Sequence, residues 1–264
     1  MTDSISFDRA AEYYDRTRSL RPETDRTVIK LLSRELAGRR ACLEIGVGTG
    51  RIALGLAAAG RKIAGADLSL PMLQKLVDNA GGSGRFPLVQ ADATSLPFSN
   101  AAFGAGVVCH VLHLIPAWDT AVRELVRVIG PGGVLLVDLG GAGDPLNRSI
   151  RDRFCAAAGV RRPRPGLDNE AELDRLLEEL GATGRALEPV VERRTATIEQ
   201  MIARLESGLF SLTWSMTDED RRSAADATRR WAEAEHGPLE EEHAVETVIR
   251  WRAYDLSAAR PSCA

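Results

Sequence analysis

The segment Leu43-Glu44-Ile45-Gly46-Val47-Gly48-Thr49-Gly50 constrains this chain more than any other stretch. An apolar run ends in Glu44 and Ile45 and breaks into glycines at every second position. Glycine turns the chain through conformations other residues avoid, and it lets a ligand approach the backbone with no Cβ in the way. A helical stretch starts near Arg51 and presents its unpaired N-terminal amides to the same place. A strand, a glycine turn and a helix in that order open an α/β sheet, and nucleotide-like ligands bind at such a turn.

The glycine spacing narrows the ligand. Dinucleotide sites use G-x-G-x-x-G. Gly46 and Gly48 satisfy its first two positions, but Arg51 stands where the third needs Gly or Ala. No Gly-Lys-Ser/Thr follows, which excludes a P-loop. The pattern is instead E-x-G-x-G-x-G.

Short apolar runs continue at 41–45, 62–67, 86–91, 103–110 and 133–139, with helical stretches across 52–59, 71–79 and 117–129. Near-continuous apolar strands alternating with helices imply a parallel sheet covered on both faces. Residues 7–37 read as helical. After Gly140 the rhythm breaks: 150–158 reads as a short helix, 170–180 as a longer one, and 186–192 and 243–254 as two further strands. The expectation is one domain over 1–264, α/β and Rossmann-like. It has a seven-stranded, mostly parallel sheet with helices on both faces. Residues 1–37 form an N-terminal helical cover and 38–140 the cofactor-binding core. Residues 141–264 complete the sheet and carry a helical cap at about 197–236.

Composition excludes several function classes. The chain has 264 residues, 44% hydrophobic and 27% charged, which is globular rather than disordered. No apolar run approaches the ~18 residues of a membrane span. The start, MTDSISFDRAAEYYD, lacks a signal peptide's basic and apolar regions. A net charge of −3 excludes a globally basic nucleic-acid binder and leaves a local basic patch open. Cys42, Cys109, Cys155 and Cys263 form no CxxC pair, so a zinc ribbon is disfavoured and free thiols in a cytoplasmic setting are expected.

Over roughly residues 38–140 the chain resembles the class I S-adenosylmethionine-dependent methyltransferases, in particular the small-molecule branch of ubiquinone and menaquinone biosynthesis. The likeness runs through LEIGVGTG, GADLSLPML, QADATSLPF and RVIGPGGVLLVD in order. It implies S-adenosylmethionine as cofactor, held by Glu44 and by the turn at Gly46, Gly48 and Gly50. Asp67 would take the ribose hydroxyls, Leu68 and Met72 would flank the adenine, and Asp92 and Ala93 would meet its edge. The backbone near Cys109 and His110 would contact the methionine part. Tyr14 and Arg18, in a segment that folds over the cofactor in relatives, would reach a carboxylate. Bland readings stay open: Gly50 as a packing glycine, Asp67 as a helix cap, Met72 as core and Asp92 as a turn cap.

Methyl transfer from a sulfonium is an in-line displacement, so alignment carries most of it and a base removes a proton where one must leave. His110 and His113, in CHVLHLIP beyond the fourth strand, are the candidate bases, His113 first. No HxH or HExxH pattern occurs, so no metal is expected. Leu209, Phe210, Trp214 and Met216 in the cap suit an apolar or planar small-molecule acceptor, or ordinary packing. No nucleic-acid or membrane partner is expected, and the chain would act as a monomer or homodimer. Two other functions stay open. One is a cofactor-binding protein of the same fold that transfers no methyl. The other is a macromolecule methyltransferase, disfavoured because Cys-His-Val-Leu stands where an Asn/Asp-Pro-Pro-Tyr motif would be.

Overall fold

The computed structural model describes residues 4, 6–18, 20–82, 84–140, 143–160 and 165–257. Cys263 lies outside them. The N-terminal cover is not one helix. A 3-10 turn at Asp8–Ala10 precedes α1 (Tyr14–Arg18) and α2 (Pro22–Glu35). Pro22 causes the second break. It sits in the first turn of α2, where its missing amide costs nothing, and it forces the residue before it out of helical conformation.

Strands and helices then alternate as β1 (Cys42–Ile45), α3 (Ala53–Ala58), β2 (Ile63–Asp67), α4 (Leu70–Asn79), β3 (Leu88–Gln90), β4 (Ala105–Cys109), α5 (Trp118–Ile129) and β5 (Val134–Asp138). The sheet is completed by β6 (Ala182–Ala186), after α6 (Pro145–Ala157) and α7 (Glu170–Glu179), and by β9 (Arg252–Leu256). Its order is β3-β2-β1-β4-β5-β9-β6. Strands β1 to β5 pair in parallel, and β9 runs antiparallel to both β5 and β6. The seven-stranded, mostly parallel expectation holds.

Side chains alternate across the sheet, as a pleat requires. Cys42, Val107 and Leu136 join Leu32, Leu56 and Leu76 in one core cluster. Leu43, Ile45, Val108, Leu135 and Val137 join Val122, Leu125, Leu173 and Leu177 in another. Both faces are covered, which is why these strands read as unbroken apolar runs.

The chain divides into two compact units. The first comprises Met1–Gly140, Arg164–Val190 and Ile249–Ala264, and the second Gly141–Pro163 and Val191–Val248. The second unit holds α6, most of β7 (Val190–Thr197) and β8 (Glu242–Ile249), and α8 (Ile198–Glu206) and α9 (Asp218–His236) between them. It therefore exceeds the cap read at 197–236. It has its own two-stranded sheet, β7 with β8. Its core includes Ile150, Phe154, Ile198, Ile202, Met216 and Ala225. Arg229 ties α9 to α8 through Glu199 and Glu206.

The two late strands are corrected as well. The run 186–192 crosses Pro189, which cannot donate to a ladder, so β6 ends before it and β7 begins after it. The run 243–254 divides at Arg250-Trp251, where no glycine or proline marks the passage from the small sheet to the large one.

Candidate cofactor site at the strand crossover

The strand order reverses at β1, whose neighbours are β2 and β4. The turns leaving β1 and β4 border the crevice where open α/β sheets take ligands. Gly46, Gly48 and Gly50 all have positive φ, at 59°, 55° and 91°. Their surroundings differ. A Cβ on Gly46 would stand 2.2 Å from Val111 Cγ2, and one on Gly50 would stand 2.8 Å from Leu76 Cγ and 2.9 Å from Leu54 Cγ. A Cβ on Gly48 would meet nothing nearer than Met72 Cε at 3.5 Å. Packing alone therefore demands glycine at both Gly50 and Gly46. At Gly48 an added Cβ would find only ordinary contacts.

Asp67 ends β2 and fastens the turn. Its Oδ2 accepts the Gly48 amide at 2.8 Å and its Oδ1 the Ser69 amide at 2.9 Å. Burial raises its carboxyl above the usual range, and those amides oppose the shift. Capping of α4 falls instead to Ser69, whose Oγ accepts the Met72 amide. Met72 is both buried and nearest to Gly48. The Leu68 carbonyl accepts from Gln90. Asp92 accepts from the amide and the hydroxyl of Thr94, so it caps a turn. Ala93 packs against the core beneath α5.

The N-terminal segment is fastened to the same turn by a residue the sequence reading passed over. Asp15 accepts from Thr49 Oγ1 and from Asn79 Nδ2, which also bonds the Thr49 carbonyl. Tyr14 makes an edge contact with Phe7 at 5.8 Å. The Arg18 side chain lies outside the described residues.

Beyond β1, β4 and β5 a charged cluster gathers. Glu44 is 2% exposed, and its Oε2 has no hydrogen-bond partner. Burial pushes its carboxyl up to about 8, against the pull of Arg51. An Arg51 guanidinium nitrogen lies 2.9 Å from Cys109 Sγ. Burial raises the Cys109 thiol far above its usual range, with Arg51 opposing. His110 Nε2 lies 3.1 Å from Asp138 Oδ2. The Gly140 amide donates to Asp138 Oδ1 at 2.8 Å. Burial alone would raise the Asp138 carboxyl, but the hydrogen bond and charge of His110, with Gly140 and Arg51, hold it below the ordinary value.

Asp138 thus takes His110, and His113 lies in the following 3-10 turn, Leu112–Leu114. Cys109 Sγ, His110 Nε2 and the Asp138 carboxylate lie within 4.8 Å of one another, a spacing that also suits a cation. The Arg51 guanidinium already supplies positive charge at the sulfur.

Asp138 was missed because it closes an apolar run like any strand end. The signal was the parallel register, which pairs Cys109 with Asp138 and so sets Asp138 beside His110. In the sequence, Arg51 shows itself only as a mismatch to the dinucleotide pattern.

With this geometry in place, residues 43–137 match the model of a methyltransferase domain. The chain is 34% identical over 143 residues to a demethylmenaquinone methyltransferase of Clavibacter sepedonicus, covering 51% of this chain and 56% of that protein. It is 36% identical over 137 residues to a ubiquinone/menaquinone biosynthesis C-methyltransferase of Syntrophotalea carbinolica, covering 50% and 58%. The matches thus span little more than half of these relatives. Among solved structures, a methyltransferase-like protein of Bacillus halodurans superposes with a TM-score of 0.60 at 18% identity, covering 89% of this chain and all of that one. That likeness concerns the fold.

Proposed function

We propose that this chain, whose residues 43–137 match a methyltransferase-domain model, is a class I S-adenosylmethionine-dependent methyltransferase that methylates a small organic acceptor by in-line displacement. When bound, S-adenosylmethionine supplies an electrophilic methyl group on a sulfonium. The residues at the crossover fit such a ligand. One observation carries the reading: a glycine turn in which a Cβ on Gly48 would meet nothing nearer than 3.5 Å, its amide held by the Asp67 carboxylate, with Glu44 Oε2 buried and unpartnered on the strand that leads into it. Hydroxyl and ammonium donors suit those two carboxyl groups.

In this reading Asp67 binds the ribose with lone pairs left over from its two amide bonds. Glu44 offers Oε2 to a donor, and Leu68 and Met72 flank the base. Tyr14 and Arg18 serve from the N-terminal segment. Asp92 and Ala93 border the adenine edge, and the backbone at Cys109 and His110 borders the methionine part. A planar, quinol-like acceptor is supported by the names of the relatives rather than by the cluster at Leu209, Phe210, Trp214 and Met216. Met216 is buried in the second unit's core and Phe210 packs against that core. Among the described residues no helix is long and apolar enough to cross a membrane.

Calorimetry with S-adenosylhomocysteine, NAD and NADP tests the cofactor, and a radiolabelled methyl assay on a panel of quinols and phenols tests transfer. Tight nicotinamide binding without homocysteine-nucleoside binding would overturn the reading. Cofactor binding with no turnover on any acceptor would favour a non-methylating protein of the same fold.

A further inference from the structure

We infer that Asp138 is a positioning residue that holds His110 as a base for an acceptor carrying an ionisable hydroxyl. This rests on the methyl-transfer reading above and adds the acceptor's chemical class to it.

His110 is held from several directions. Its backbone lies at φ 59°, a left-handed conformation that strains a non-glycine residue and persists where the surroundings enforce it. Its amide donates to the Asp138 carbonyl at 2.8 Å. Its ring lies over Gly140, where an added Cβ would sit 3.6 Å from Nε2 and 3.7 Å from Cε1. Its Nε2 meets Asp138 Oδ2 at 3.1 Å. The side chain of Asp138 is 3% exposed and that of His110 is 35% exposed. One nitrogen is therefore tied to a buried carboxylate while the residue keeps an open side.

The bonding sets the tautomer. An ionised carboxylate only accepts hydrogen bonds. Oδ1 is taken by the Gly140 amide, so Oδ2 accepts from an Nε2–H. A neutral His110 then carries its lone pair on Nδ1. The other titratable groups of this cluster are Cys109 on β4, Glu44 on β1 and Arg51 after the glycine turn. Arg51 lies on the Cys109 sulfur.

The proton balance follows. The acceptor's O–H bond breaks with its electron pair left on oxygen, and the proton passes to Nδ1. The imidazolium keeps its Nε2–H on Asp138, which stabilises the new charge. The oxygen forms its bond to the methyl carbon, and the pair of the broken carbon–sulfur bond stays on sulfur. An acceptor that arrives already ionised has no use for the dyad.

Long-range proton–nitrogen correlation spectra of the nitrogen-15-labelled protein test the tautomer without cofactor or acceptor. The chain has four histidines, and His110→Ala removes one ring system and so assigns it. The expected neutral form has a protonated Nε2 and a bare Nδ1, and Asp138→Asn should mix the tautomers. Kinetics test the base. Asp138→Asn and His110→Ala should each lower kcat on a weakly acidic phenol by ~10²-fold or more, within the range of general base catalysis. The loss on a strongly acidic nitrophenol should be at least tenfold smaller, because that acceptor arrives ionised. A parental Nδ1–H tautomer, or equal loss on both phenols, overturns the proposal. Absence of turnover on every acceptor counts against the methyltransferase reading itself and removes the base with it, whereas the spectrum judges Asp138 separately. If Asp138→Asn fails to fold, the parental spectrum and His110→Gln kinetics decide.

Discussion

One methyl group added at Gly48 and one at Gly50 should have opposite effects on binding and stability. Both residues have positive φ, where an L side chain costs about 1–2 kcal/mol. At Gly48 that strain is the whole cost, because the new Cβ would lie 3.5 Å from its nearest neighbour, an ordinary contact. At Gly50 the Cβ would press into Leu76 at 2.8 Å and Leu54 at 2.9 Å. Overpacking of that kind adds roughly 1–3 kcal/mol. Urea unfolding followed by tryptophan fluorescence should therefore place Gly50→Ala below Gly48→Ala by about 1–3 kcal/mol. Calorimetry should show the reverse order. Gly48→Ala should weaken S-adenosylhomocysteine binding at least tenfold, equal to about 1.4 kcal/mol, since its Cβ fills the space the ligand needs. Folded Gly50→Ala should bind within a few-fold of the parent. Parental affinity in Gly48→Ala, or a Gly50→Ala protein as stable as Gly48→Ala, would refute the division of roles in this turn.

Asp67→Ala should lose stability as well as cofactor, because the buried amides of Gly48 and Ser69 lose their acceptor, at roughly 1–3 kcal/mol for each. Unchanged urea midpoints would show that those bonds matter little. Burial pushes Glu44 to about 8, so the folded state keeps a proton the unfolded chain releases above about 4.3. Stability should fall as pH rises between those values, and Glu44→Gln should gain on the parent from pH 5 to pH 8 by a few kcal/mol on the order expected from proton linkage. A pH-independent difference would contradict this. Asp138 is held below its ordinary value, so its contribution is complete above about pH 3.9 and is lost as pH falls further. Asp138→Asn should flatten the acid limb of the stability curve, read from urea melts between pH 2 and 5.

Strands β1, β2, β4 and β5 could be read from the sequence because burial on both faces leaves each as an apolar run bounded by glycine or polar turns. The glycine turn was legible for the same local reason. What escaped were features made by pairing distant segments. Asp15 meets Thr49 and Asn79 across the fold, and nothing around Asp15 announces it. Asp138 finds His110 through strand register. The strand run divides at Arg250-Trp251 without a glycine or proline to mark it. The contact between His110 and Asp138 also needed coordinates, since His110 and His113 are three positions apart in one loop and the sequence places both beyond the fourth strand.

The antiparallel β9 has a consequence for synthesis. By the time Asp138 is made, β5 has β4 on one side only, and its other neighbour is the strand at Arg252–Leu256. At ribosomal rates of ~5–20 residues per second, the wait for β9 lasts on the order of 5–25 s. Throughout it, a strand that is wholly buried in the finished sheet exposes an unpaired edge, which is a template for joining another chain. β6 waits too, because β9 is its strand partner among the described residues of this sheet. The pairing of both β5 and β6 thus depends on a strand made long after β5. A nascent chain released before Arg252 should aggregate through β5 even though every cofactor contact assigned above has already been synthesised.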